Sequence, residues 1–169
     1  MKQDLKLLLI VAVVVAAAFW GYHQLTKEPS LDKGDALPKF SLLTLEGKPF
    51  TNGDLPSDKE KLIIYYNSEC PSCEEEVDSI SSTIEKYKHV NLYFISFETA
   101  DKINAFAEKN NLLNRVNVTF LEDRTLKFNE DLHMQLIPFA LYCSADNEIL
   151  EKGNGSRESN RILERVTAR

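Results

Sequence analysis

The chain has little cysteine: Cys70, Cys73 and Cys143 are its only three. That is too few for a disulfide-rich scaffold, and the odd count leaves one unpaired if the other two bond. One CxxC and the scattered His23, His89 and His133 do not complete a four-ligand zinc site at any usual spacing, so no metal or other cofactor is expected. The chain also lacks a Lys/Arg cluster, and its formal net charge is -6. A phosphate backbone is therefore a poor ligand for it, and no nucleic-acid partner is expected. There is no internal repeat, and no low-complexity segment outside one apolar run near the N-terminus. What is present is 43% hydrophobic and 27% charged. Those are globular values, and the length suits one ordinary domain with a short appendage.

The apolar run is Leu5 to Trp20, broken only by Lys6. As a helix, Leu7 to Tyr22 would measure about 24 Å, somewhat short of a hydrocarbon core of about 30 Å. Lys6 can snorkel, and Trp20 and Tyr22 suit the interface. Residues 1–25 thus read as a single transmembrane anchor. Ala16-Ala17-Ala18 would also serve a cleaved secretory signal, although the bulky Phe19-Trp20 pair follows it directly. No cysteine lies here, which excludes lipoprotein attachment. Lys2, Lys6 and the amino terminus favour keeping that end inside. The rest then lies outside the cytoplasm, facing a periplasm or the cell exterior, where disulfides persist. Residues 26–36 are polar, with Pro29 and Gly34, and read as a linker. Residues 37–169 form the domain.

Within it, Lys39 to Leu45 and Lys48-Pro49-Phe50 make a short hairpin about Glu46-Gly47, followed by a charged loop over 52–61. Leu62 to Tyr66, LIIYY, suits a strand covered on both faces. After Cys70-Pro71-Ser72-Cys73, a helical pattern places Val77, Ile80, Ile84 and Tyr87 on one face. Strands are expected at 91–97, 116–121, 139–143 and 148–152. Helices are expected at 101–112 and 159–168, and a partly helical turn at 123–133. The order predicts an α/β domain: a mixed central sheet with helices on both faces, its first half a βαβ unit with a parallel pair.

The position of the CxxC carries the chemistry. Cys70 follows a buried strand and opens a helix, where free N–H groups and the helix dipole stabilise a thiolate. Pro71 suits the first turn, where a missing N–H costs nothing. Cys73 is close enough to resolve a mixed disulfide formed by Cys70. Further on, Pro138 stands just ahead of an apolar strand, compatible with an ordinary strand start or with a cis-proline loop.

Strand–CPSC–helix, then Ile137-Pro138 about 65 residues later and the FALYC strand, resembles the thioredoxin-like superfamily. Leu37 to Leu42 with Glu46-Gly47-Lys48 is similar to the N-terminal hairpin of its redoxin branch, which includes membrane-anchored bacterial proteins like TlpA and ResA. The resemblance covers residues 37–169. It implies a thiol–disulfide oxidoreductase acting on protein thiols and disulfides, fed by an upstream redox donor. Cys70 would be the nucleophile, Cys73 the resolving thiol and the pair a redox-active disulfide. Pro138 would be a cis-proline facing them, and Ile137 would offer backbone hydrogen bonds to a substrate strand. Glu69 stands where relatives often carry Trp. Glu74, Glu75 and Glu76 read as solvated helix-start charge; negative charge near Cys70 would make the pair more reducing than a strong oxidant.

Other readings remain. A thiol peroxidase of the same superfamily places Thr or Ser three residues before its reactive cysteine; here Asn67 is there. A copper-handling module would draw on His133 with Cys70 and Cys73, but such proteins usually space their cysteines by three. Cys143 alternates with Leu141 and Phe139 and reads as a buried inert thiol. Asn117 and Asn154 match a glycosylation pattern that is frequent by chance.

Overall fold

The computed structural model describes residues 12–22 and 31–168. It divides into two units at Ser30–Leu31. In the first unit, residues 12–22 are helical (α1). Among the described residues no helix is long and apolar enough to cross a membrane. Most of the expected anchor, residues 1–11 and 23–25, lies outside the described residues.

The second unit holds seven strands: β1 Ser41–Thr44, β2 Pro49–Thr51, β3 Glu60–Tyr65, β4 Val90–Ser96, β5 Val118–Glu122, β6 Phe139–Cys143 and β7 Ile149–Asn154. Its helices are α2 Pro71–Ser82, α3 Ala100–Lys109, α4 Lys127–Asp131 and α5 Ser156–Thr167. They form one sheet in the order β2-β1-β5-β4-β3-β6-β7. β3 runs parallel to β4 and β4 to β5, while the remaining pairs are antiparallel. This is the thioredoxin-like mixed sheet with an N-terminal hairpin, turned at Gly47 with φ 76.

β3 is central and buried on both faces, as its unbroken apolar run requires. Leu62, Ile64 and Tyr66 point into one core with Val77 and Ile80 of α2, Ile103 and Phe106 of α3, and Ile162 and Val166 of α5. Ile63 and Tyr65 point into the other, with Phe128 of α4, Leu42 of the hairpin and Leu37. Three long helices therefore share one face. Each fully buried Leu or Ile contributes about 1.5–3 kcal/mol, and Cys73 is a member of the first core.

Several local expectations change. The helix after Cys70 stops at Ser82, and Ile84–Tyr87 is a separate 3-10 turn. Ile84 and Tyr87 stay buried, so the face persists through the break. The polar stretch read as linker is, from Leu31, hydrogen-bonded into the domain. Gly34 N–H donates to Ile149 C=O at 2.9 Å, Leu37 N–H to Asn147 C=O at 2.8 Å, and Ile149 N–H to Asp35 C=O at 2.8 Å. Lys61, assigned to a charged loop, is buried in β3 and donates its Nζ to the carbonyls of Ser144 and Ala145. At Gly153 in β7 the backbone of Glu158 comes so close that a Cβ would lie 2.8 Å from its carbonyl carbon. That contact seats the start of α5 on the sheet.

Candidate active site

Cys70 is the N-cap of α2, with extended backbone at φ -90 and ψ 115. Its carbonyl accepts from the N–H groups of Cys73 and Glu74, each at 3.0 Å, and Pro71 supplies the first helical residue. Both cysteines are free thiols; Cys70 is half-buried and Cys73 buried. Burial pushes the Cys73 thiol far up. The Cys70 side chain and the negative charge of Glu76 add to the rise, and a backbone hydrogen bond from Asn67 opposes it. Cys70 is therefore the thiol open to solvent, whereas the buried Cys73 holds its proton.

The carboxyl of Glu76 lies close enough to act on that thiol. It was read as solvated charge, but it is 3% exposed on the inner face of α2, one turn past Cys73. Burial raises its carboxyl to about 7. Neither carboxyl oxygen has a hydrogen-bond partner among the described residues, and neither does the Ser159 hydroxyl. The sequence held a signal that was missed: Glu76 lies three residues after Cys73 and four before Ile80, on the apolar stripe.

The other acidic neighbours are partly answered by α3. Lys102 reaches Glu69 at 2.7 Å, and Lys109 pairs with Glu74. Only Glu75 fits the expected solvated charge without a cross-helix lysine. The loop before Cys70 is held from below by Glu98, which is 7% exposed. Glu98 accepts from the N–H and the hydroxyl of Ser68, each at 2.7 Å, and from the Ser96 hydroxyl at 3.2 Å. Sequence reasoning missed Glu98 and Lys102, because both act across the fold.

Asn67 folds back on its own loop, its side-chain oxygen accepting from Glu69 N–H at 2.8 Å and its carbonyl from Cys70 N–H at 3.2 Å. The Ile137–Pro138 peptide is cis. Pro138 is buried, and its carbonyl accepts from Gly155 N–H at 2.9 Å. Tyr65 of β3 pairs with Phe139 of β6, so the chain leaves β3 toward Cys70 at the edge where it enters β6 from Pro138. Ile137 and Cys70 pack against the same core.

The remaining candidates lie elsewhere. Cys143 is buried opposite Lys61, its thiol pushed up to about 12 by burial. His133 is exposed, and among the described residues no group of three or more His, Cys, Asp or Glu is placed to hold a metal. The Asn117 amide donates to the carbonyls of Tyr87 and Val90, a structural role. Asn154 accepts from Gln135 N–H at 3.0 Å, steadying the segment ahead of Ile137.

A profile of the AhpC/TSA family matches residues 33–149. No curated protein sequence matches the chain. Among solved structures, the chain is similar to the peroxidoxin BcpB from Mycobacterium tuberculosis at 17% identity and TM-score 0.69, covering 82% of this chain and 95% of that one. It is also similar to a secreted Mycobacterium tuberculosis disulfide oxidoreductase homologous to E. coli DsbE, at 23% identity and TM-score 0.63, covering 77% and 96%. A third likeness is the thioredoxin domain of a Bacteroides vulgatus thiol-disulfide oxidoreductase, at 19% identity and TM-score 0.61, covering 81% and 99%. At these identities the likeness speaks for the fold.

Proposed function

This chain belongs to the AhpC/TSA family, and from that membership and its Cys70–Cys73 pair we propose that it exchanges thiols and disulfides with protein substrates. The observation that carries the reading is the asymmetry of the pair: Cys70 reachable at a helix start, Cys73 buried beside a buried carboxyl.

In the reducing direction, the Cys70 thiolate attacks one sulfur of a substrate disulfide. A mixed disulfide forms and the other substrate sulfur leaves as a thiolate, which takes a proton from solvent. Cys73 then gives its proton to the Glu76 carboxylate and attacks Cys70 Sγ. The Cys70–Cys73 disulfide forms, and the second substrate sulfur departs as a thiolate and is protonated. The substrate disulfide gains two electrons and the protein pair loses two; an upstream dithiol restores the pair. Ile137 and Pro138, at the same sheet edge, are assigned to hold the substrate strand.

The apolar N-terminal run supports a single membrane anchor with this domain outside the cytoplasm, where disulfide substrates occur. Against the peroxidase reading stands Asn67, whose side chain is engaged within its own loop.

Cys70→Ser should abolish reduction of insulin disulfides, and Cys73→Ser should accumulate mixed disulfides with exported proteins. Cys73→Ser cells yielding no adducts, together with peroxide consumption by the pure protein faster than a free thiol allows, would replace this reading with a peroxidase.

A further inference from the structure

A buried base is useful only if its proton can leave. Glu76 is surrounded by the first core on its inner side, but it also lines a groove of about 380 Å³ between α2 and α5. Ser72 and Ser79 of α2, Thr83 at its end, and Asn160 and Thr167 of α5 give that groove polar walls. It is far larger than the volume one water needs, and polar enough to hold several. Cys70 is not among its lining residues, so it is not the face that meets substrate.

An orphaned carboxyl marks its inner end. Both oxygens of Glu76, buried, have no hydrogen-bond partner among the described residues. Burying a polar group without a partner costs about 1–3 kcal/mol, so retaining this one at the base of a polar groove needs a reason. The charged and titratable groups around Glu76 are Cys73 and Glu75 on its own helix, Lys86 and Tyr87 on the 3-10 turn, and Glu164 on α5. Among the described residues no cation is paired with Glu76.

We propose that the groove between α2 and α5 is the port through which protons pass between solvent and Cys73, by way of the Glu76 carboxyl at its inner end. The proposal rests on Glu76 serving as the base for Cys73. When Cys73 attacks Cys70, its proton moves to a Glu76 oxygen and then to water entering along Ser79 and Asn160. In the opposite direction, as the Cys70–Cys73 disulfide is reduced, the same route delivers the proton that Cys73 takes up. Substrate can therefore cover Cys70 without closing the proton path.

The test is a single turnover of the reduced full-length protein with a disulfide-bonded peptide, followed from pH 5 to 9, with the Glu76 carboxyl titrated in parallel by NMR. Ser79→Leu with Asn160→Leu, both at exposed positions, should plug the mouth. Resolution should slow by about tenfold, within what a positioned acid–base group supplies, and its solvent deuterium isotope effect should grow. Alkylation of Cys70 should stay unchanged; Ser79→Leu alone serves if the pair does not fold. An unaltered rate and isotope effect in the plugged protein overturns the port. Glu76→Gln separates the two levels. If it resolves as fast as the parent at every pH, the base assignment itself fails; if it is slow while the plugged protein is fast, only the port fails.

Discussion

Tyr65 stands directly opposite Phe139 in the antiparallel β3–β6 pair. One residue past Tyr65 begins the run to Cys70, and one residue before Phe139 is Pro138. Strand register, rather than any direct bond, brings the CPSC helix and the Ile137–Pro138 loop to one edge of the sheet. The Tyr65 hydroxyl also donates to Asp123 at 3.1 Å, and that carboxylate accepts from the N–H groups of Phe128 and Asn129 at the start of α4. The strand that delivers Cys70 is thus tied to β6 beside it and to α4 across the sheet face.

Differential alkylation should read the asymmetry of the thiols. In the reduced native protein Cys70 reacts first with iodoacetamide, while Cys73 and Cys143, both fully buried, label only on unfolding. Mass spectrometry after partial labelling checks this. Equal labelling of Cys70 and Cys73 would remove the basis for separate attacking and resolving roles.

Glu76 should make stability depend on pH. Its carboxyl is raised from an ordinary 4.5 to about 7 in the fold, so the native state holds a proton the unfolded chain has released. That contribution is fully present below about 4.5 and is lost as pH rises through about 7. At about 1.4 kcal/mol per unit, the loss is on the order of 3 kcal/mol. Glu76→Gln should therefore be more stable than the parent at pH 8 and close to it at pH 4.5. Urea unfolding at the two pH values is the measurement; a constant difference would contradict the buried, neutral carboxyl.

Glu98 should be felt at the cysteines although it touches neither. Glu98→Ala leaves the Ser68 N–H without its acceptor and should cost about 2 kcal/mol, typical for losing hydrogen bonds to a buried charge. Turnover should fall with it, because the 67–69 loop sets the entry to α2. Ser68→Ala, which keeps the N–H bond, should cost about 1 kcal/mol. Unfolding and insulin-reduction assays on both variants rank them.

Leu126 sits at φ 60 just before α4 and is 44% exposed. A leucine there carries the Cβ–carbonyl clash that glycine escapes. Leu126→Gly should stabilise by about 1 kcal/mol, the relief exceeding the added freedom of the unfolded chain. A lowered melting temperature would show that the exposed side chain packs better than its exposure implies.

Much of this was legible in sequence, and the reasons are particular. LIIYY and FALYC are continuous apolar runs because β3 and β6 are covered on both faces. Val77, Ile80, Ile84 and Tyr87 shared a face as their spacing required, but spacing says nothing of a helix that changes to a 3-10 turn at Thr83 while keeping that face. The segment from Leu31 looked like linker because its ties are backbone hydrogen bonds and contacts with the distant Lys152, which leave no trace in local composition. Three successive glutamates look like one solvated run in sequence, whereas helix geometry turns the third, Glu76, inward. Lys102 and Glu98 lie about 30 residues from the motif they serve, and no local pattern links them to it.

Cys143 faces Lys61, at the far end of β3 from Tyr65. Four residues of extended chain separate the two ends by about 13 Å, while a disulfide needs α-carbons within about 7 Å. The spare sulfur is thus quarantined by the length of a strand. A domain built this way can carry a third thiol and still have one intramolecular way to close.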